Sequence, residues 1–290
     1  MDVALRIEQE LETAISRAAG SDCPPILAEA LGYAVFPGGA RIRPRLCLAV
    51  AMACGDKSPI AATAAAAAIE LLHCASLVHD DLPCFDNAGM RRGKPSVHLA
   101  YGERIAVLAG DALIVLAFEQ LAVRLALSPE RLAPLVKIVS TAVGGPSGIA
   151  AGQAWECENE IDLVRYQRAK TGALFAACTM AGAAAAGYEP QAWQALGYAI
   201  GEAFQVADDL RDVAGSEQDL GKPVGQDETH HRPNAVAALG FDGAMQRFED
   251  LLADALAAIP PCPGAEPLAK QIAAVSRSLV TGLSARTVAA

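Results

Sequence analysis

Apolar residues recur at helical spacing along almost the whole chain, so its fold has to be built from helices packed on helices. Leu5, Ile7 and Leu11 open the first such segment, and residues 65–78, 105–123, 132–143, 172–186 and 192–213 continue the pattern. Much of it is alanine, as in the run from Ala64 to Ala68. Alanine has the highest helix propensity, and its side chain is small enough to let helix axes approach closely. Strand signals are nearly absent: Ile138-Val139-Ser140-Thr141 is β-branched but lies inside a longer helical pattern with no paired turn chemistry. The Pro/Gly stretches Phe36-Pro37-Gly38-Gly39, Gly144-Gly145-Pro146 and Pro260-Pro261-Cys262-Pro263 are short and sit between periodic segments, so none reads as a linker. The expectation is an all-α bundle of ten or more helices, a single domain over residues 1–290, with functional groups projecting into the core from facing helices.

Composition narrows the function classes. With 53% apolar residues a large core is within reach. A transmembrane segment is not expected, because Glu70 and His73 close the alanine segment and Asp111 and Glu119 flank another apolar stretch. The start, Met1-Asp2-Val3-Ala4-Leu5-Arg6, lacks the basic-then-apolar order of a signal peptide, which predicts a cytoplasmic chain. A formal charge of -10 argues against nucleic acid as a partner. The eight cysteines contain no C-x-x-C pair and are scattered through apolar segments, as expected of reduced, buried thiols.

Two periodic segments end in knots of aspartate: Asp80-Asp81-Leu82-Pro83-Cys84-Phe85-Asp86 and Asp208-Asp209-Leu210-Arg211-Asp212. Like charges resist both one another and burial, so a fold that gathers them most simply does so around divalent cations. In the second knot Asp208 and Asp212 are spaced i, i+4 and share a helix face, with Gln205 on the same side as Asp208 and Asp209. In the first, Asp81 and Asp86 would point about 140° apart on an ideal helix. Pro83 disfavours helix at Leu82, so the chain is expected to loosen there and bring Asp86 back toward Asp80 and Asp81. Arg91 and Arg92 follow closely, and guanidinium forks suit diphosphate oxygens. Each knot alone also fits a salt-bridged acidic helix end, with Arg211 or Lys222 as the partner of the second.

Taken in order, the motifs resemble those of the head-to-tail trans-prenyltransferases, the polyprenyl diphosphate synthases. These are Gly38-Gly39-Ala40-Arg41-Ile42-Arg43-Pro44, His73, Asp80-Asp81-x4-Asp86, Arg91-Arg92-Gly93, Gly110-Asp111, Gly152-Gln153, Lys170-Thr171-Gly172, Phe204-Gln205-x2-Asp208-Asp209-x2-Asp212 and Gly221-Lys222. The resemblance implies an isoprenoid-synthase bundle around a central apolar substrate cavity, a homodimer, and isopentenyl and allylic diphosphates as substrates. Asp80, Asp81, Asp86 and Asp208, with Asp212, would hold three magnesium ions on the allylic diphosphate. Arg91, Lys170 and Lys222 would neutralise its remaining oxygens, with Thr171, Gln205 and Arg232 also at the substrate. Arg43, His73 and Arg92 would hold isopentenyl diphosphate.

Three positions depart from the family pattern. Ala40 stands where a lysine usually helps bind isopentenyl diphosphate, a loss that Arg41 or another base would have to offset. Glu156 replaces an aspartate, and Arg232 stands for a lysine. Product length can be argued from size: Ala75, the fifth residue before Asp80, and Ser76 are small where fifteen-carbon synthases of this family carry an aromatic plug. The implied product is therefore the twenty-carbon geranylgeranyl diphosphate. A farnesyl diphosphate synthase, a non-catalytic partner subunit of a prenyl synthase and a class I terpene cyclase are the alternatives.

Overall fold

The computed structural model describes residues 2–214 and 234–283, and nearly all of its regular structure is helical. The helices are α1 (Val3–Ala18), α2 (Pro25–Val35), α3 (Ile42–Ala53), α4 (Pro59–Asp80), α5 (Val97–Tyr101), α6 (Glu103–Arg124), α7 (Pro129–Val143), α8 (Ile149–Trp155), α9 (Leu163–Gln167), α10 (Ala173–Ala186), α11 (Gln194–Ala214), α12 (Ala235–Ala257) and α13 (Ala265–Ser278). A π turn, Arg168–Gly172, leads into α10, and a short 3₁₀ turn, Pro190–Trp193, leads into α11. The all-α expectation holds, with one addition: strand β1 (Met90–Arg91) pairs antiparallel with β2 (Lys94–Pro95).

The two alanine-rich helices are the interior of the bundle. Every residue of α10 is buried, and α10 packs against α3, α4, α7 and α11. Its approach to α3 is close enough that a Cβ at Gly182 would lie 2.3 Å from the Cys47 carbonyl oxygen. Pro59 opens α4 at a position where the missing N–H would have no helical partner anyway. The buried apolar side chains of these helices and their neighbours join in one core cluster.

One expectation needs correction, and so does the reason given for another. Helices α4 and α6 are long and apolar enough to cross a membrane by length and composition. The charges expected to interrupt them are too few to bring the mean hydropathy below that of a membrane span, a test that the core helix of a bundle passes as well. Helix α4 is largely buried in the bundle, whereas α6 leaves Val107, Leu108, Val115 and Val123 exposed. Nor are all the cysteines buried: Cys47, Cys54, Cys74 and Cys178 are, but Cys84 and Cys157 are exposed.

Candidate active site

Asp80 is the last helical residue of α4 and Asp81 its C-cap. Beyond them the chain turns on itself. The Leu82 carbonyl accepts hydrogen bonds from the Phe85 and Asn87 N–H groups at 2.9 and 3.1 Å, and the Asp86 N–H donates to the Asp80 carbonyl at 2.9 Å. The break before Pro83 therefore does what the sequence predicted and folds Asp86 back onto the helix end. The β1–β2 hairpin follows, turning through Arg92 and Gly93, both with positive φ, as a two-residue hairpin requires. Lys94 pins it to the end of α2: its ammonium donates to the Tyr33 and Phe36 carbonyls at 2.5 and 2.6 Å and lies 3.6 Å over the Tyr33 ring.

This anchoring places two arginines beside the end of α4. Arg91 grips the buried Asp81 with Nε at 3.1 Å and Nη2 at 2.5 Å from the same carboxylate oxygen. Burial nevertheless holds the Asp81 carboxyl above the ordinary range, with Arg91 opposing it. Arg92 reaches the buried Glu70, 3.8 Å away, and the Cys74 sulfur. It passes so near Gly39 that a Cβ there would sit 3.3 Å from its Nε.

Arg41 does not take the place of the missing lysine. It is buried, donates to Glu70 at 2.7 Å, to Glu8 at 2.8 Å and to the Val35 carbonyl at 2.9 Å, and so is committed to the scaffold. A Cβ on Gly38 would collide with its guanidinium. Arg43 instead faces the interior, stacked 4.6 Å over Phe175, with Nη1 3.3 Å from His73 Nε2. A guanidinium can only donate, so Nε2 is the accepting nitrogen of a neutral imidazole. Burial, and then the arginines at 43, 92, 91 and 41, push the His73 pKa well below its usual value.

The opposite wall is built on the π turn and α11. The turn bulges Lys170 toward Asp80, at 3.9 Å, and α8 presses against it so tightly that a Cβ at Gly152 would lie 2.4 Å from the Lys170 nitrogen. Glu156 holds the lysine at 2.5 Å and itself accepts from Gln153 at 2.8 Å and from Tyr166 at 2.7 Å. Next to Lys170, Thr171 donates to Gln205 at 3.0 Å, Gln205 donates to Asp209 at 3.0 Å, and Asp209 accepts the Ala235 N–H of α12 at 2.7 Å.

Between the walls lies a cavity of about 630 Å³. Of the residues singled out in the sequence, Arg43, His73, Ala75, Ser76, Asp80, Lys170, Thr171, Gln205 and Asp208 line it. Asp81, Asp86, Arg91, Arg92 and Asp212 stand outside that lining; Asp81 and Asp212 are buried. Lys222 and Arg232 lie outside the described residues. Leu72, Ile114, Val143 and Ile149 make the rest of the cavity an apolar well.

Sequence reasoning missed three features. His79 fits over Gly110, where a Cβ would be 2.1 Å from its Nε2, and this gives the Gly110-Asp111 motif a steric reason. Lys94, which anchors the hairpin, and Phe85, on the cavity lining, were not among the residues singled out in the sequence.

The acidic groups suit a magnesium site completed by substrate. Asp80 is held above its ordinary pKa chiefly by burial; Lys170 and Arg91 oppose the shift, and Asp86 and Glu156 add to it. Among the described residues no three His, Cys, Asp or Glu side chains converge into a metal cage by themselves. Magnesium is commonly held by one or two carboxylates together with phosphate oxygens, and this site offers that kind of incomplete donor set.

An all-helical bundle with two carboxylate-bearing walls over an apolar well is the architecture of an isoprenoid synthase. The chain belongs to the polyprenyl synthetase family, whose profile matches residues 24–260. It is 57% identical to the geranylgeranyl diphosphate synthase of Cereibacter sphaeroides, over 95% of this chain and 96% of the relative. It is 54% identical to that of Rhodobacter capsulatus, over 94% of each. Among solved structures, the geranylgeranyl pyrophosphate synthetase of Pyrococcus horikoshii superposes with a TM-score of 0.80 at 28% identity, covering 96% of this chain and 98% of that one. The Helicobacter pylori geranyltransferase, solved with magnesium and isoprenyl diphosphate, superposes with a TM-score of 0.77 at 32% identity, covering 96% and 97%.

Proposed function

We propose that the chain is a trans-prenyltransferase that joins isopentenyl diphosphate head-to-tail to allylic diphosphates and releases geranylgeranyl diphosphate. The single observation that carries this reading is the cavity itself: Asp80, Asp208 and Lys170 stand on facing walls above a well lined by small and apolar side chains. Three magnesium ions, held by Asp80, Asp81, Asp86, Asp208 and Asp212 together with the substrate, would stabilise the charge that builds on the departing diphosphate. Lys170 and Arg91 bind the allylic diphosphate from opposite walls, with Lys222 and Arg232 as further cations and Thr171 and Gln205 shaping the rim. Arg43, neutral His73 and Arg92 hold isopentenyl diphosphate beside it without a lysine at position 40. Preorganised cations of this kind act where charge develops, and the apolar well keeps water from the allylic cation. The departing diphosphate would take the proton lost after condensation.

Labelled isopentenyl diphosphate supplied with magnesium and dimethylallyl, geranyl or farnesyl diphosphate should appear in a twenty-carbon product. Arrest at fifteen carbons would assign a farnesyl synthase, absence of turnover a partner subunit, and a hydrocarbon formed without isopentenyl diphosphate a cyclase. The floor assignment has its own test. Ala75 is buried on the wall of the well, so Ala75→Tyr fills it and should shift the main product to fifteen carbons or fewer. An unchanged twenty-carbon product from a folded Ala75→Tyr variant would place the floor elsewhere.

A homodimer completes the proposal. The exposed face of α6, with Val107, Leu108, Val115 and Val123, is apolar enough to pair with a second copy, and light scattering on the purified chain reads the mass directly.

A further inference from the structure

Phe85 stands where a polar site would not be expected to carry a large hydrocarbon. It lies one residue before Asp86, in the turn held by the hydrogen bonds of Asp86 to the Asp80 carbonyl and of Phe85 and Asn87 to the Leu82 carbonyl, so its backbone is fixed. Its side chain is 42% exposed yet lines the same cavity as Asp80, Lys170 and Gln205. The other phenylalanine on that lining, Phe204, is already occupied, packed on Phe175 with ring centroids 5.2 Å apart and with the Arg43 guanidinium 5.8 Å away. Among the described residues the Phe85 ring stacks on no other ring or cation. A rigid turn thus presents an uncommitted aromatic ring to the mouth of the well, on the wall that carries the first aspartate cluster.

We propose that the Phe85 ring is the apolar shield over the reacting end of the allylic substrate, covering the carbon that becomes cationic and denying it to water. This deepens the prenyl-transfer reading and rests on it. Ionisation breaks the bond between C1 and the diphosphate oxygen, and both electrons leave with diphosphate. The C1 cation then has two fates. It can accept the π electrons of isopentenyl diphosphate, forming a carbon–carbon bond with later loss of a proton. Alternatively it can accept a lone pair from water, forming a carbon–oxygen bond and losing a proton to give an allylic alcohol. An aromatic face attracts a cation and excludes water, so it favours the first fate on both counts.

The test is how ionised substrate divides between these products. Wild type, Phe85→Ala and Phe85→Leu are incubated with magnesium, labelled geranyl diphosphate and isopentenyl diphosphate in ¹⁸O-enriched water, and allylic alcohol is measured against elongated product. Phe85→Ala should raise the ratio of alcohol to elongated product about tenfold, with ¹⁸O on the alcohol carbon, while Phe85→Leu, which keeps apolar bulk but loses the π face, should leak to a degree between wild type and Phe85→Ala. The ring is exposed, so truncation should leave thermal unfolding close to wild type. An unchanged ratio in Phe85→Ala, even with slower turnover, would overturn the shield, as would Phe85→Leu leaking as much as Phe85→Ala. Failure of the wild type to elongate any primer would instead sink the prenyl-transfer reading, so the two ideas fail in different ways.

Discussion

The two acidic walls reach the same cavity by different routes. The first is a helix that stops: α4 ends at Asp80, the turn around Pro83 brings Asp86 back, and a hairpin delivers Arg91 and Arg92 from outside the helix. The second is a helix that runs on: Gln205, Asp208, Asp209 and Asp212 all belong to the last turns of α11. Yet both walls divide their paired aspartates in the same way. Asp80 and Asp208 line the cavity, while Asp81 is gripped by Arg91 and Asp209 accepts the first N–H of α12. Adjacent residues on a helix point about 100° apart, so one carboxylate of a pair can face the cavity while its neighbour braces the wall. The cost of losing the brace should differ, because Asp81 braces a hairpin bearing an arginine proposed to bind substrate and Asp209 braces a helix start.

The largest expected effect breaks the pairing on the first wall. Asp80→Asn should lower kcat by on the order of 10²–10³-fold at saturating magnesium and substrates. It should leave thermal unfolding unchanged or slightly raised, since burial already disfavours the ionised Asp80. Asp81→Ala should lose activity and stability together, because it removes the carboxylate oxygens to which a part-buried Arg91 donates. If both variants lost activity alone, with identical melting curves, the division between facing and bracing carboxylates would be wrong.

Asp209→Ala sharpens the contrast from the second wall. Asn234 caps α12 for the Val236 and Ala237 N–H groups, and Asp209 supplies the acceptor for Ala235 from another helix. Its removal should cost about 1–2 kcal/mol in urea unfolding, as loss of a cap does. Gln205 would also lose the partner that orients it toward Thr171, so a modest rise in KM for the allylic substrate with little change in kcat is expected. A loss of kcat as deep as that of Asp80→Asn would move Asp209 from bracing to the reaction itself.

How much of this the sequence displayed depended on what each residue had to report. Helices were plain because apolar residues at i, i+3 and i+4 mark a face regardless of tertiary context, and the turn at Pro83 was plain because proline restricts its predecessor. The alanine-rich segments at 65–78 and 172–186 read as helix but gave no facing direction, since alanine on every side carries no contrast, and α10 indeed proves buried all round. The glycines of the motifs were visible as residues, but their reasons were not: Gly152 answers to the Lys170 backbone, Gly110 to His79 and Gly39 to Arg92, each remote in sequence. Arg41 misled because a basic residue next to the missing lysine looks like a substitute. Only the partners Glu8 and Glu70, one on each of two other helices, show that its charge is already used.

The smallest effect tests the corner proposed for isopentenyl diphosphate, where the first wall meets Arg43. His73 is half-buried among arginines, and its folded pKa lies well below the usual value of 6.5. The unfolded chain therefore binds a proton as pH falls through about 6.5, while the folded chain does not until lower pH. Stability contributed by neutral His73 is fully present above about 6.5 and is lost as pH falls from there toward the folded pKa. Asp80 and Asp81, whose folded pKa values are raised, act in the opposite sense: the folded state takes up their protons first, and stability is regained as pH falls through those folded values. Comparing wild type with His73→Gln cancels these shared contributions. Chemical denaturation between pH 7.5 and 5.5 should show wild type losing more stability than the variant, by no more than about 1.4 kcal/mol per pH unit. At pH 7.5 the variant should already have a weakened KM for isopentenyl diphosphate, since it disturbs the Arg43 pairing, and a nearly unchanged KM for the allylic partner. Equal pH slopes would mean that His73 is solvated enough to titrate normally, and the arginines around it would then owe their spacing to something other than a neutral imidazole.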